Sequence, residues 1–161
     1  MFRNMTRRFC RAGLLALAAL AFIASGTPAQ AQTAVGVTQL GQPLFREYKG
    51  VTLGMTADQV HSKLGAPKET AVGQDFYSPS ETELVQVLYD SAHKVRLIAV
   101  TYLGETITPT CRQIFGEEVT PEADGSINKI VRYPGAAYSV TYYRTAGTDP
   151  LVTVSMQKYR E

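Results

Sequence analysis

The chain has no tryptophan, two histidines and two cysteines among its 161 residues. Each scarcity removes a class of chemistry. His61 and His93 have no cysteine or carboxylate at ligand spacing, so no metal site is expected. No G-x-S-x-G elbow, P-loop or dinucleotide fingerprint occurs, so no catalytic residue and no cofactor is expected either. Long hydrophobic runs are missing as well. The apolar run from Ala12 to Ala24 has 13 residues, short of the roughly 20 that cross a bilayer.

What the N-terminus does contain is a targeting pattern. Arg3, Arg7, Arg8 and Arg11 precede the apolar run, and Ala29-Gln30-Ala31 follows it as a cleavage site. Residues 1–31 therefore read as a signal peptide, and a periplasmic or secreted location follows. Arg7-Arg8 raises the twin-arginine route, but Phe9-Cys10-Arg11 fits that motif poorly, and an ordinary basic segment is expected. The leader also explains the charge. The full chain carries 16 basic and 14 acidic residues, and four arginines but no acid lie in the leader. The remainder holds 12 basic and 14 acidic residues, which gives no electrostatic case for nucleic acid. Beyond the leader only Cys111 remains, so no internal disulfide can form. In its short apolar setting Cys111 reads as a buried small hydrophobe. Residues 32–47, with weak periodicity, read as a flexible arm whose end Leu44 and Phe45 could pin.

The best-defined stretch runs from Gly50 to Pro67 and reads as a short strand, a sharp entry, one short helix and a firm stop. Thr56 is placed as a helix N-cap, with Gln59 completing a capping box. Met55 and Val60 have hydrophobic-staple spacing. Asp58 suits the first turn and Lys63 the last. Ala57, Val60 and Leu64 form one apolar stripe. Gly65 can stop the helix in the left-handed C′ conformation, and Pro67 keeps it from resuming.

Gly50, Val51, Gly54, Met55, Thr56, Val60, Leu64, Gly65 and Pro67, at these spacings, resemble the signature of the SmpA/OmlA (BamE-like) family of bacterial envelope proteins. The stretch is also similar to the domain repeated in β-lactamase inhibitory protein. The motif covers 18 residues, and a compatible strand pattern extends to about Leu103. The resemblance implies an α+β domain over 48–161 and a setting in outer-membrane protein assembly or cell-envelope integrity. BamE-like proteins are usually lipoproteins. This chain departs from that pattern, because Cys10 precedes the apolar run and none follows until Cys111. No lipid anchor is expected, and the mature chain should be soluble.

After the helix, Thr70–Gly73 reads as a loop. Gln74–Ser78, Glu83–Tyr89 and Val95–Leu103 read as strands of an antiparallel meander. The last has apolar residues on both faces, which suggests a strand covered on both sides. Thr108-Pro109 then predicts a second helix, with Thr108 as its cap, and Gly116 stops it. Strands follow at Ile127–Tyr133, Ala137–Arg144 and Leu151–Lys158. The stops at Gly65 and Gly116 lie 51 residues apart, and the third-strand starts at Val95 and Leu151 lie 56 apart. This order suggests two tandem helix-plus-three-strand repeats, 48–104 and 105–161, although a continuing meander explains it too. The expected fold is α+β: an antiparallel sheet with short helices packed on one face.

The last two strands alternate cleanly. Tyr138, Val140 and Tyr142 oppose Ser139, Thr141 and Tyr143, and Val152, Val154 and Met156 oppose Thr153, Ser155 and Gln157. The second members of each set are the candidate partner-binding face, and a merely solvated face is the plainer alternative. Asp90 and His93 can be imagined as an acid–base pair, but turn composition accounts for both. The acidic residues Glu117, Glu118, Glu122 and Asp124 lack the spacing of a calcium loop. The reading that emerges is a non-enzymatic periplasmic module that binds a protein partner of the cell envelope. A secreted enzyme inhibitor and a small-ligand carrier are the alternatives.

Overall fold

The computed structural model describes residues 38–39, 41–104 and 108–159. The leader, its cleavage site and Cys10 lie outside the described residues.

Two short helices, α1 (Ala57–Leu64) and α2 (Cys111–Phe115), pack with a single sheet of eight strands. The strands are β1 (Thr38–Gln39), β2 (Glu69–Ala71), β3 (Gln74–Ser80), β4 (Glu83–Tyr89), β5 (Val95–Tyr102), β6 (Ile127–Tyr133), β7 (Tyr138–Arg144) and β8 (Val152–Lys158). Their order across the sheet is β1-β6-β7-β8-β5-β4-β3-β2. Seven strands pair antiparallel, and β1 alone runs parallel to its neighbour β6. The architecture is α+β. The two meanders meet where β5 pairs with β8, in the middle of the sheet.

Local sequence explains the elements. Before α1, Tyr48 and Val51 exchange both backbone hydrogen bonds around Lys49-Gly50, and both turn residues have positive φ. A tight hairpin turn needs that conformation, and glycine adopts it without steric cost. Val51 makes only this isolated bridge rather than a strand. Thr56 then caps α1, accepting from the Gln59 N–H while Gln59 accepts from the Thr56 N–H. Gly65 ends the helix at φ 82° with an extended ψ rather than the left-handed C-cap.

Period-two alternation puts Val85, Val87, Ile98, Val100, Val131, Val140, Val154 and Met156 on one face of the sheet. Val60 of α1 and Ile114 and Phe115 of α2 join them in one core cluster. Cys111 belongs to that core, and burial pushes its thiol pKa up.

Three further expectations are corrected. The second helix is capped by Thr110, not Thr108, and begins at Cys111. Thr110 has Gln113 three residues on, and Gln113 reaches back to its N–H. Thr108 would have Cys111 there, which cannot do so, and its hydroxyl donates to the Gly104 carbonyl instead. Glu69–Ala71, placed partly in a loop, forms edge strand β2, which turns back through Gly73 at φ 71°. β5 is central, but the helices cover only one of its faces. Leu97, Ala99 and Thr101 are part-exposed on the other.

The expected arm carries the two residues of β1 on the edge of β6. Phe45 packs against the core, and its carbonyl accepts from the Tyr138 hydroxyl. Leu44 is 56% exposed. Among the described residues, no helix is long and apolar enough to cross a membrane.

Candidate functional site

The six candidate face residues come together as three cross-strand pairs. Ser139 faces Gln157, Thr141 faces Ser155 and Tyr143 faces Thr153. Val140, Tyr142, Val152, Val154 and Met156 alternate with them and are buried on the helix side, so all six lie on the side that no described helix covers. Thr153 also shares a hydrogen bond with Thr101 across β5, at 3.0 Å between the hydroxyls.

The face continues beyond the six. The registers carry it across β5, β4 and β3 through Leu97, Ala99, Leu84, Leu88 and Phe76. Leu84 is 46% exposed and Tyr143 45%. One half of the surface therefore carries apolar side chains interleaved with Gln74, Gln86 and Thr101, and the other is lined by hydroxyls and amides. A shallow depression of about 580 Å³ lies on the apolar half, against Phe76, Leu84, Gln86 and Ala99 and reaching Thr153. The apolar half was hidden in the sequence because outward apolar residues on a central strand look the same as buried ones.

Each residue of the Gly50–Pro67 motif that was singled out is explained by folding. The Gly54 N–H donates to the Val95 carbonyl at 2.7 Å, and the Met55 carbonyl accepts from the Val95 N–H. Met55 Sδ accepts from the Thr52 N–H. Val60 is fully buried, and Leu64 packs partly against the core. Thr56, Gln59 and Gly65 form the caps described above, and Pro67 follows the helix stop.

A second constellation went unanticipated. Asp75 is the buried charged residue among those described, at 3% exposure. Its Oδ2 accepts from His61 Nε2 at 2.9 Å, from the Tyr89 hydroxyl at 2.8 Å and from the Tyr77 hydroxyl at 3.4 Å. Burial alone would raise the Asp75 carboxyl pKa. Hydrogen bonds from His61, Tyr89 and Thr70 outweigh it and hold the pKa below the ordinary value. Burial, with the charge on Asp75 beside it, pushes Tyr77 up to about 12. The histidine had been read without a carboxylate partner because Asp75 lies 14 residues away, on a different element. The available signal was an aspartate at an inward strand position two residues before Tyr77, a place strands disfavour.

This cluster can hold or relay a proton, but no described nucleophile stands beside His61. The Ser62 hydroxyl donates to the Gln59 carbonyl instead. The cluster ties α1 to β3 and β4. The imagined Asp90–His93 pair is a turn: Asp90 Oδ1 accepts from the Ala92 and Lys94 N–H groups. In the acidic loop, Glu118 pairs with Arg112, Glu117 with Lys129, and Asp124 accepts from the Ser126 N–H. Among the described residues, no three histidine, cysteine, aspartate or glutamate side chains converge as a metal site. Compared with known proteins, the chain matches no protein-family description, no curated protein and no solved structure.

Proposed function

We propose that the chain is a non-enzymatic protein-binding module of the bacterial cell envelope, working through the uncovered face of its sheet. One observation carries this reading. A continuous surface from Phe76 to Tyr143 combines a half rich in apolar side chains with a half rich in hydroxyls and amides, and no described helix covers it. Apolar contact surrounded by hydrogen-bonding groups is the make-up of a protein interface. Exposed tyrosine adds a rigid amphipathic contact. The leader pattern supports export, and the resemblance of Gly50–Pro67 to BamE-like proteins supports envelope assembly or integrity as the setting.

We also propose two tandem units behind this face. Both helices open with Thr-x-x-Gln capping boxes and stop at a positive-φ glycine, and a meander follows each. The last strands of the two meanders, β5 and β8, pair antiparallel at the centre, as two-fold related units would. The same layout supports the inhibitor as a second reading.

The test is capture from an envelope extract by the wild-type chain and by a Thr141→Lys/Ser155→Lys double variant. Both positions are on the sheet surface, so the fold should survive the change. Expected are envelope assembly components that the wild type retains and the variant loses. One enzyme as the dominant variant-sensitive species favours the inhibitor. Capture that the variant leaves unchanged, or no capture above background, overturns the face as the binding surface.

A further inference from the structure

On the helix side of the sheet, at the end where β7 begins and β8 stops, lies a cleft of about 670 Å³. That is within the usual size range of small-ligand sites. It is formed by four separate segments: the chain before Tyr48, the loop before α1, the turn between β6 and β7, and the end of β8. Its apolar lining includes Pro43, Leu53, Tyr138 and Tyr159, and its charged side chains are Arg46 and Lys158. No acidic residue lines it, and neither cation makes an ion pair within 4 Å among the described residues.

The segments that carry the two cations are anchored to the fold. The Tyr138 hydroxyl donates to the carbonyl of Phe45, the residue before Arg46. Lys158 faces Tyr138 in the β7–β8 register, and its ammonium lies over Gly54, 3.5 Å from where a Cβ would be. The Asp90 carboxylate is close enough for Lys158 to influence it, but its Oδ1 is committed to two backbone N–H groups. Ala137 forms part of the wall at φ 57°, a conformation uncommon for alanine. It is maintained by backbone hydrogen bonds to Pro134 and from Tyr159.

We infer that this cleft binds an amphipathic carboxylate, with the anion between Arg46 and Lys158 and an apolar or aromatic body against Leu53, Tyr138 and Tyr159. Both cations line the cleft and no acid does, Asp90 lying outside the lining, so an anion that enters is attracted by two positive charges. The apolar lining gives the rest of the ligand a dry surface. The same chemistry comes from two sources: a free organic acid or the C-terminus of a peptide ending in an aromatic residue. This site is separate from the uncovered sheet face, so either assignment can fail without the other.

The test is calorimetric titration of the purified chain with two probes, 3-phenylpropanoate and an acetylated hexapeptide ending in phenylalanine. Each is compared with its amide. The carboxylates are expected to bind with Kd below about 1 mM, and the amides at least about 10-fold more weakly. Arg46→Gln and Lys158→Met should each weaken the carboxylates about 5-fold or more without changing the melting temperature, and added salt should weaken them too. Tighter binding of the peptide identifies a chain terminus as the source, and tighter binding of the small acid identifies a free metabolite. Equal binding of acid and amide, no saturable binding, or affinity unaffected by both substitutions overturns the inference. Thr141→Lys, on the opposite face, should leave binding unchanged.

Discussion

The two halves of the sheet fasten their helices by opposite means. On one side, the inward residue Asp75 faces Val87 across β3–β4 and takes hydrogen bonds from α1 and two tyrosines. On the other, Lys129 faces Tyr142 across β6–β7. Its ammonium lies 5.4 Å from the centroid of the Phe115 ring and pairs with Glu117. Phe115 in turn meets Tyr142 edge to face, at 6.5 Å and 66°. A buried carboxylate needs several donors to stay charged, whereas a lysine can lay its stem on an aromatic ring and keep its head near water. The first fastening is therefore directional and sensitive to protonation. The second rests mainly on apolar and aromatic contact.

The largest effect should come from breaking the apolar fastening. Phe115→Ala removes a buried ring and should cost about 3–5 kcal/mol, read as a lower urea midpoint. A loss below about 1 kcal/mol would mean that α2 is not held by this packing.

Asp75→Ala should come next, at about 2–4 kcal/mol, because the His61 and tyrosine donors lose their shared acceptor. The pH dependence sharpens the contrast. The folded Asp75 carboxyl has a depressed pKa. Its stabilisation is therefore complete above the unfolded value of about 3.9 and is lost as pH falls through the folded value. In the Asp75→Asn variant, stability should decline less between pH 5 and acid than in the wild type. Parallel curves would remove Asp75 as a source of acid sensitivity.

The smallest effects separate the caps. Thr56→Ala and Thr110→Ala should each cost about 1 kcal/mol, since each ends a reciprocal capping box. Thr108→Ala should cost less than about 0.5 kcal/mol, because its hydroxyl is exposed and only supports a loop carbonyl. Equal losses at Thr108 and Thr110 would return the cap to Thr108.

Much of the fold was legible because it is local. β7 and β8 were located to within a residue at each end, and their alternation assigned Ser139 and Thr153 to one face. The α1 caps followed from Thr56, Gln59 and Gly65. The misplaced second cap shows the limit of a local cue: Thr108-Pro109 looked like a start signal, but the reciprocal bond available to Thr110 prevailed. The loop reading of Glu69–Ala71 failed for another reason. Glu-Thr-Ala has little strand character, and pairing with β3 supplies what composition does not.

The sequence by itself determined the N-cap of α1 and the strand periods, because each depends on residues within one turn or one strand. Only the tertiary structure decided that β5 lies beside β8, that Asp75 meets His61, and that Arg46 and Lys158 share a cleft. Periodicity says which side chains share a face of one strand. It does not say which strand lies alongside, because that choice is made by burying all the inward faces in one core.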